Sequence, residues 1–248
     1  MTRRVDLLGV GVDVVPRTDL LDVVAALLRS GHATVAYANV HVVNVAHGDA
    51  PLRSFLAAAD LVYCDGGGVV LGARLLGEHL PDRMTGADWI WDLAARAERE
   101  GWRLYWMGGE TGVTAAAAAR LQERHPALVV GTDHGFHPDA AAVVARMNAF
   151  APDIVLVGMG TPLQERWVAA HRGAIAAPVV WVTGATADFV SGKVSRGPAW
   201  LHDRQEWLAR LLVDPRRLWR RYLLGNTVFL GRIARARLRR EPGAATRT

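Results

Sequence analysis

From about residue 34 the chain alternates short apolar runs with amphipathic stretches. TVAYAN, ADLVYCD, RLYWMG, LVVGT, DIVLVGMG and VVWVTGA read as strands, most of them ending in Gly, Asp or Asn. Between them, WIWDLAARAERE, TAAAAARLQERH and DAAAVVARMNAF carry apolar residues at helical spacing and many strong helix formers. Strands alternating with helices predict right-handed βαβ units, hence an α/β fold with a mostly parallel sheet and helices on both faces. Nearer the start, VDLLGVGVDVV predicts a short strand pair, and DLLDVVAALLRSG a helix from Asp19 that closes on Gly31. Pro198 opens a different region. AWLHDRQEWLARLLVD reads as one helix stopped by Pro215, and beyond it Leu218, Tyr222, Phe229 and Ile233 recur on a helical face beside arginines, with Gly225-Asn226 as a candidate break. The expected organisation is a core over residues 1–195, an α-helical appendage over 196–240 and a disordered tail over 241–248.

Charge sharpens that division. The net charge is +5, yet residues 196–240 hold 12 arginines against Asp203, Glu206 and Asp214, so residues 1–195 sum to −4. A basic, partly apolar helix suits an anionic membrane surface, where each nearby Lys or Arg contributes roughly 1 kcal/mol, with Trp219, Tyr222, Leu223 and Phe229 as candidates for the interface. The competing reading is a solvated helix packed on its own core. A mildly acidic core without a recognition module argues against nucleic acid. One cysteine, Cys64, excludes an internal disulfide framework and agrees with a reducing compartment. No apolar run approaches the roughly 20 residues of a membrane span, and the basic MTRR opening leads into no signal-like stretch. The expected location is the cytoplasm, at the inner face of the cell membrane.

In open α/β sheets ligands sit beyond the carboxyl ends of the strands. Tyr37 and Asn39, Asp65 with Gly66 to Gly68, Gly108, Gly109 and Gly112, His134 and His137, Gly158, Gly160, Gln164 and Glu165, and Asp188 fall there. Glycines at such turns let backbone approach a ligand, and the following helix N-terminus offers free N–H groups to an anion. Three such turns on successive strands favour a nucleotide or phosphate pocket, although GGETG is neither the dinucleotide fingerprint nor a P-loop. Asp65 reads as a helix N-cap or as a general base. Arg83 reads as a surface partner of Asp82 or as a bidentate diphosphate clamp. Glu165 reads as a first-turn partner of the helix dipole or as a pocket residue, and Gln164 as an amide aimed at a sugar or uracil edge. His134 and His137 lack a third ligand and no Asp-x-Asp pair occurs, so neither a metal nor a cofactor is expected.

Seven motifs, in order, carry a family resemblance: YANVHVVNVA, CDGGGVV, PDRMTGADW, YWMGGETGV, APDIVLVGMGTPLQERW, GATADFVSGKVSRGPAW and EWLARLLVDPRRLWRRYL. With them the chain resembles the WecG/TagA/CpsF glycosyltransferases over residues 5–225 or so. The resemblance implies a Rossmann-like core, an appendage that completes the active site and touches the membrane, and no metal. It implies inverting transfer of an N-acetylmannosamine-type sugar from a UDP donor to a polyprenyl-diphosphate-linked acceptor, in synthesis of a cell-surface polymer. Asp65 falls on the proposed base, Asn39 on a sugar contact, and Arg83 and Gln164 on pocket positions; Arg210, Arg217 and Arg221 match arginines that face the departing diphosphate. Tyr37 departs from the family's usual threonine, which leaves the exact donor and acceptor open. Two other readings stand beside this one, a nucleotide-cofactor oxidoreductase and a non-catalytic sugar-nucleotide-binding protein. Oligomeric state is open, with a homo-oligomer among the options.

Overall fold

The computed structural model describes residues 3–194 and 223–240. Two short strands, β1 (Arg4–Leu7) and β2 (Val10–Asp13), form the expected antiparallel hairpin. Helix α1 (Leu20–Ser30) follows, with Asp19 at its N-cap position and Gly31 at its C-cap. Six further strands make one sheet: β3 (Ala33–Ala38), β4 (Leu61–Cys64), β5 (Arg103–Gly108), β6 (Val129–Asp133), β7 (Ile154–Gly158) and β8 (Val179–Val182). They lie in the order β4-β3-β8-β7-β5-β6, every neighbouring pair parallel.

Parallel sheets need cover on both faces, so their inner strands are apolar throughout rather than alternating. Strands β7 and β8 obey this, with every residue buried. The edge strand β6 is partly exposed along its length. The other edge, β4, is shielded by the hairpin: Asp13, itself buried, accepts the Val62 amide at 2.7 Å and pairs with Arg4 at 3.0 Å. A side chain thus satisfies a backbone donor that an open edge would leave available for pairing with another chain.

The covering helices are α2 (Val40–Ala46), α3 (Ala50–Ala58), α4 (Gly67–Leu75), α5 (Gly86–Glu100), α6 (Val113–Arg124), α7 (Ala140–Phe150), α8 (Leu163–His171) and α9 (Thr186–Val190). In the centre the Trp89 and Trp181 rings stack at 3.9 Å, and the Tyr63 ring meets both edge-on. This dry aromatic block underlies the strand ends of β3, β4 and β8.

The last helix, α10 (Gly225–Arg240), packs on α2 and α4. Gly72 makes that possible, since a Cβ there would lie 2.5 Å from the Phe229 ring. Phe229 is therefore 1% exposed, and Ile233 beside it is fully buried. The expectation that Phe229 faces a membrane interface is corrected here: it anchors the helix to the core, because burying an aromatic ring in a fitted notch is worth more than leaving it half in water. Asn44 adds polar fastening, donating to the Gly225 carbonyl at 2.7 Å and accepting from Arg232 at 2.9 Å. Leu223, Leu224, Val228, Leu230 and Leu238 remain exposed. Among the described residues no helix is long and apolar enough to cross a membrane.

Candidate active site

At the carboxyl ends of β3 and β4 two polar side chains meet. Asn39 ends β3 in extended backbone and is the N-cap of α2, its Oδ1 accepting the Val42 amide at 3.0 Å. That bond directs its amide nitrogen outward, where Nδ2 donates to Asp65 Oδ2 at 3.0 Å. The Asp65 amide in turn donates to the Ala38 carbonyl at 2.9 Å, extending the β3–β4 ladder by one rung. The N-cap position of α4 falls on Gly66, with φ +104°, rather than on Asp65. Asp65 is half-buried, so it has both a fixed partner and access to a ligand.

Deeper between β3 and β8 lies a buried polar network, in which Glu165 Oε2 has no partner among the described residues. The Tyr37 hydroxyl accepts from Gln164 Nε2 at 3.3 Å and sits 3.4 Å from Thr161 Oγ1. Gln164 also donates to Glu165 Oε1 at 2.8 Å and accepts the Gly184 amide at 3.1 Å. Thr161 donates to the same Glu165 oxygen at 2.8 Å. Gln164 is fully buried and Glu165 is 1% exposed. Burial, aided by the charges of Glu165 and Asp65, pushes the Tyr37 phenol up to about 12, so it is neutral at ordinary pH. Burial also raises Glu165 above the usual carboxylate range, against the opposing pull of its Gln164 and Thr161 donors. Of these three acids, Tyr37 and Glu165 are buried and Asp65 is half-buried.

On the other side of the cleft the strands end in glycine. A Cβ on Gly108 would stand 2.2 Å from the Gly158 carbonyl oxygen, and one on Gly158 would stand 2.5 Å from that of Gly184. These residues let β5, β7 and β8 leave the sheet with their backbones in contact. The Gly109 amide donates to the Gly158 carbonyl at 2.9 Å, and Gly160 at φ +81° then turns the chain into α8.

Residues 5–243 match the model of the WecG/TagA/CpsF family of glycosyl transferases. The chain belongs to that family. The N-acetylglucosaminyldiphosphoundecaprenol N-acetyl-beta-D-mannosaminyltransferase of Staphylococcus aureus (strain NCTC 8325 / PS 47) is 27% identical over 241 residues, which cover 95% of this chain and 94% of that protein. The protein of the same name from strain MRSA252 matches with the same identity and coverage.

In this glycosyltransferase the structure brings Tyr37, Asn39, Asp65, Gln164 and Glu165 to the carboxyl end of the sheet, with Gly108, Gly109, Gly158 and Gly160 on the neighbouring strands. Arg83 is half-buried in the segment before α5, which is tied to β4 where the Met84 amide donates to the Cys64 carbonyl at 2.8 Å. Asp188 opens α9 and pairs with Lys193 at 3.8 Å. Arg210, Arg217 and Arg221 lie outside the described residues, as do Trp219, Tyr222 and the helix expected over AWLHDRQEWLARLLVD. Sequence reasoning missed Thr161 and Gly184, which complete the buried network. Both sit in motifs already singled out, but strand order alone shows that Gly184 meets Gln164. It also missed Asn39 as a helix cap, although Asn followed by an apolar helical stretch is an N-terminal signal.

Proposed function

We propose that this glycosyltransferase moves an N-acetylmannosaminyl residue, or a closely related hexosamine, from a UDP-linked donor to a polyprenyl-diphosphate-linked sugar, inverting the anomeric carbon. The mannosaminyltransferases it resembles supply the sugar class and the lipid-linked acceptor. The observation that carries the mechanism is the Asn39–Asp65 hydrogen bond at adjoining strand ends. Asp65 takes the proton of the acceptor hydroxyl as that oxygen bonds to the anomeric carbon. The bond from this carbon to the diphosphate oxygen breaks, and UDP leaves with the electron pair. Asn39 fixes the position of the carboxylate through that hydrogen bond. Tyr37, protonated throughout, serves as a hydrogen-bonding wall rather than a base.

Charge develops on the departing diphosphate, and groups arranged in advance to meet it contribute most of the acceleration. Arg83, the amides of the glycine turns and the arginines at 210, 217 and 221 are assigned that task. Gln164 and Glu165 support the site from beneath, through Tyr37 and Gly184. Membrane attachment at the inner face falls to the exposed Leu223, Leu224, Val228, Leu230 and Leu238 together with the arginines of α10. The test is UDP release from a panel of UDP-hexoses, UDP-N-acetylhexosamines and UDP-uronates with a soluble polyprenyl-diphosphate-sugar analogue. UDP-N-acetylmannosamine is expected to react fastest, and only when the acceptor is present. Equal turnover of every donor, or none with any, would overturn the assignment.

A further inference from the structure

We propose that Asp133, His134 and His137 form a binding site for a divalent transition-metal ion, separate from the transfer chemistry. The two histidines look incomplete in the sequence, and the fold supplies what they lack. Asp133 is the last residue of β6, and the turn that follows folds His137 back onto it. One ligand atom from each of the three residues lies within 4.8 Å of the other two. Bonds of about 2.0–2.2 Å to nitrogen and oxygen place two ligands of one ion up to about 4.4 Å apart, so His134 moves in slightly while Asp133 and His137, hydrogen-bonded to each other, part to admit the ion. All three residues are half-buried, which leaves water a path to the remaining coordination positions.

The partners of each group fit the assignment. Asp133 Oδ2 is taken by Arg146, at 2.6 and 3.2 Å, and by the Tyr105 hydroxyl at 3.4 Å. Its Oδ1 faces His137 and the His134 amide, the latter at 3.0 Å. One oxygen is thus oriented by a cation and a phenol while the other is turned towards the imidazoles, the arrangement in which outer partners fix a ligating carboxylate. The Arg146 charge opposes an incoming ion, but that side chain is 49% exposed and solvent screens it. The Phe136 amide donates to His134 Nδ1 at 3.2 Å, marking Nδ1 as the lone-pair nitrogen. That bond is at the long end of the range and is easily exchanged for a metal bond. The two rings stack with centroids 3.6 Å apart, and a rotation of one ring about its side chain would turn its nitrogen towards the other's. The His137 imidazole already holds this loop to the end of β6 through Asp133, and an ion would take over that tie.

Two imidazoles and one carboxylate select zinc, cobalt or nickel over magnesium or calcium, which prefer oxygen alone. The place in the sheet sets the role. From β3 to β6 there are four inter-strand steps, about 19 Å at the usual spacing, so an ion here does not reach the atom on which Asp65 acts. What it reaches is the glycine turn after β5: the Gly135 amide donates to the Gly109 carbonyl at 2.9 Å, and a Cβ on Gly135 would press to 2.8 Å on Met159. An ion that cross-links residues 133–137 therefore stiffens the turn against which that loop lies.

The experiment uses full-length protein stripped with a chelator and titrated with cobalt, followed by visible absorption, with thermal melting in zinc and in magnesium. One cobalt per chain with ligand-field bands, displacement by zinc and a higher melting temperature in zinc but not in magnesium are expected. H134A and H137A, each melting like the wild type without metal, are expected to weaken cobalt binding at least tenfold. A wild-type protein that gives no cobalt bands and no zinc-dependent shift would overturn the proposal. So would undiminished cobalt binding by the H134A/H137A double variant.

Discussion

Strands β3 and β4 deliver side chains to the cleft, an asparagine and an aspartate joined at 3.0 Å, whereas β5 and β7 deliver bare backbone packed too tightly for a Cβ atom. The first half places a carboxylate that can change protonation state. The second brings glycine backbone close to whatever lies above it. A sugar nucleotide has the same division, with a reacting carbon at one end and an anion beside it. Side-chain chemistry at one end and backbone at the other let both parts be addressed without crowding.

The comparison can be broken from either side. On the side-chain half, D65N is expected to lower turnover by about 10²–10⁴-fold while UDP still binds; a variant that turns over normally would remove the base. On the backbone half, G108A would drive a Cβ into the Gly158 carbonyl at a φ of +156°, a conformation that strains any side chain. A loss of about 1–3 kcal/mol in urea unfolding is expected, with weaker UDP binding, so the two halves separate by readout. Turnover without stability marks the first, and stability with ligand binding marks the second. If G108A melts like the wild type, the backbone contact is looser than described.

Asn39 belongs to both categories, and two substitutions divide its roles. N39A removes the α2 cap and the donor to Asp65, costing about 0.5–2 kcal/mol of stability. N39S keeps a cap through its hydroxyl but loses the longer amide N–H that reaches Asp65, so its stability should recover while its turnover stays low. Recovery of both in N39S would make Asn39 a cap alone.

The smallest expected effect lies beneath the cleft. Burial raises the folded-state pKa of Glu165 above its unfolded value near 4.5, so the folded protein holds that proton more tightly. This contribution to stability is fully present below the unfolded value and is lost as pH rises through the window up to the raised folded value. E165Q keeps an acceptor for Thr161 and Gln164 without the titration. Its urea midpoint is expected to vary less with pH than that of the wild type from about 4.5 upward, and parallel profiles would remove Glu165 as the source.

Much of this was legible in one dimension. All six strands of the parallel sheet appear at the predicted apolar runs, most of which end in Gly, Asp or Asn, and the boundaries of α1 are announced by Asp19 and Gly31. Strand and helix periods are local properties, expressed over a few residues, and therefore visible in the chain. The family was legible for a similar reason, since its motifs are short blocks at successive strand ends.

Strand order is not local. It places β3 against β8, and so joins Tyr37 to Gln164 and Gln164 to Gly184. It brings Asp65 to Asn39 across a helical crossover, and packing turns Phe229 from a candidate membrane residue into the plug of a notch at Gly72. The sequence by itself determined the elements, their parallel arrangement and the polar groups carried at their ends. Only the tertiary structure decided which of those groups touch, because contact between distant residues depends on how strands are ordered and how helices pack, and no local period encodes either.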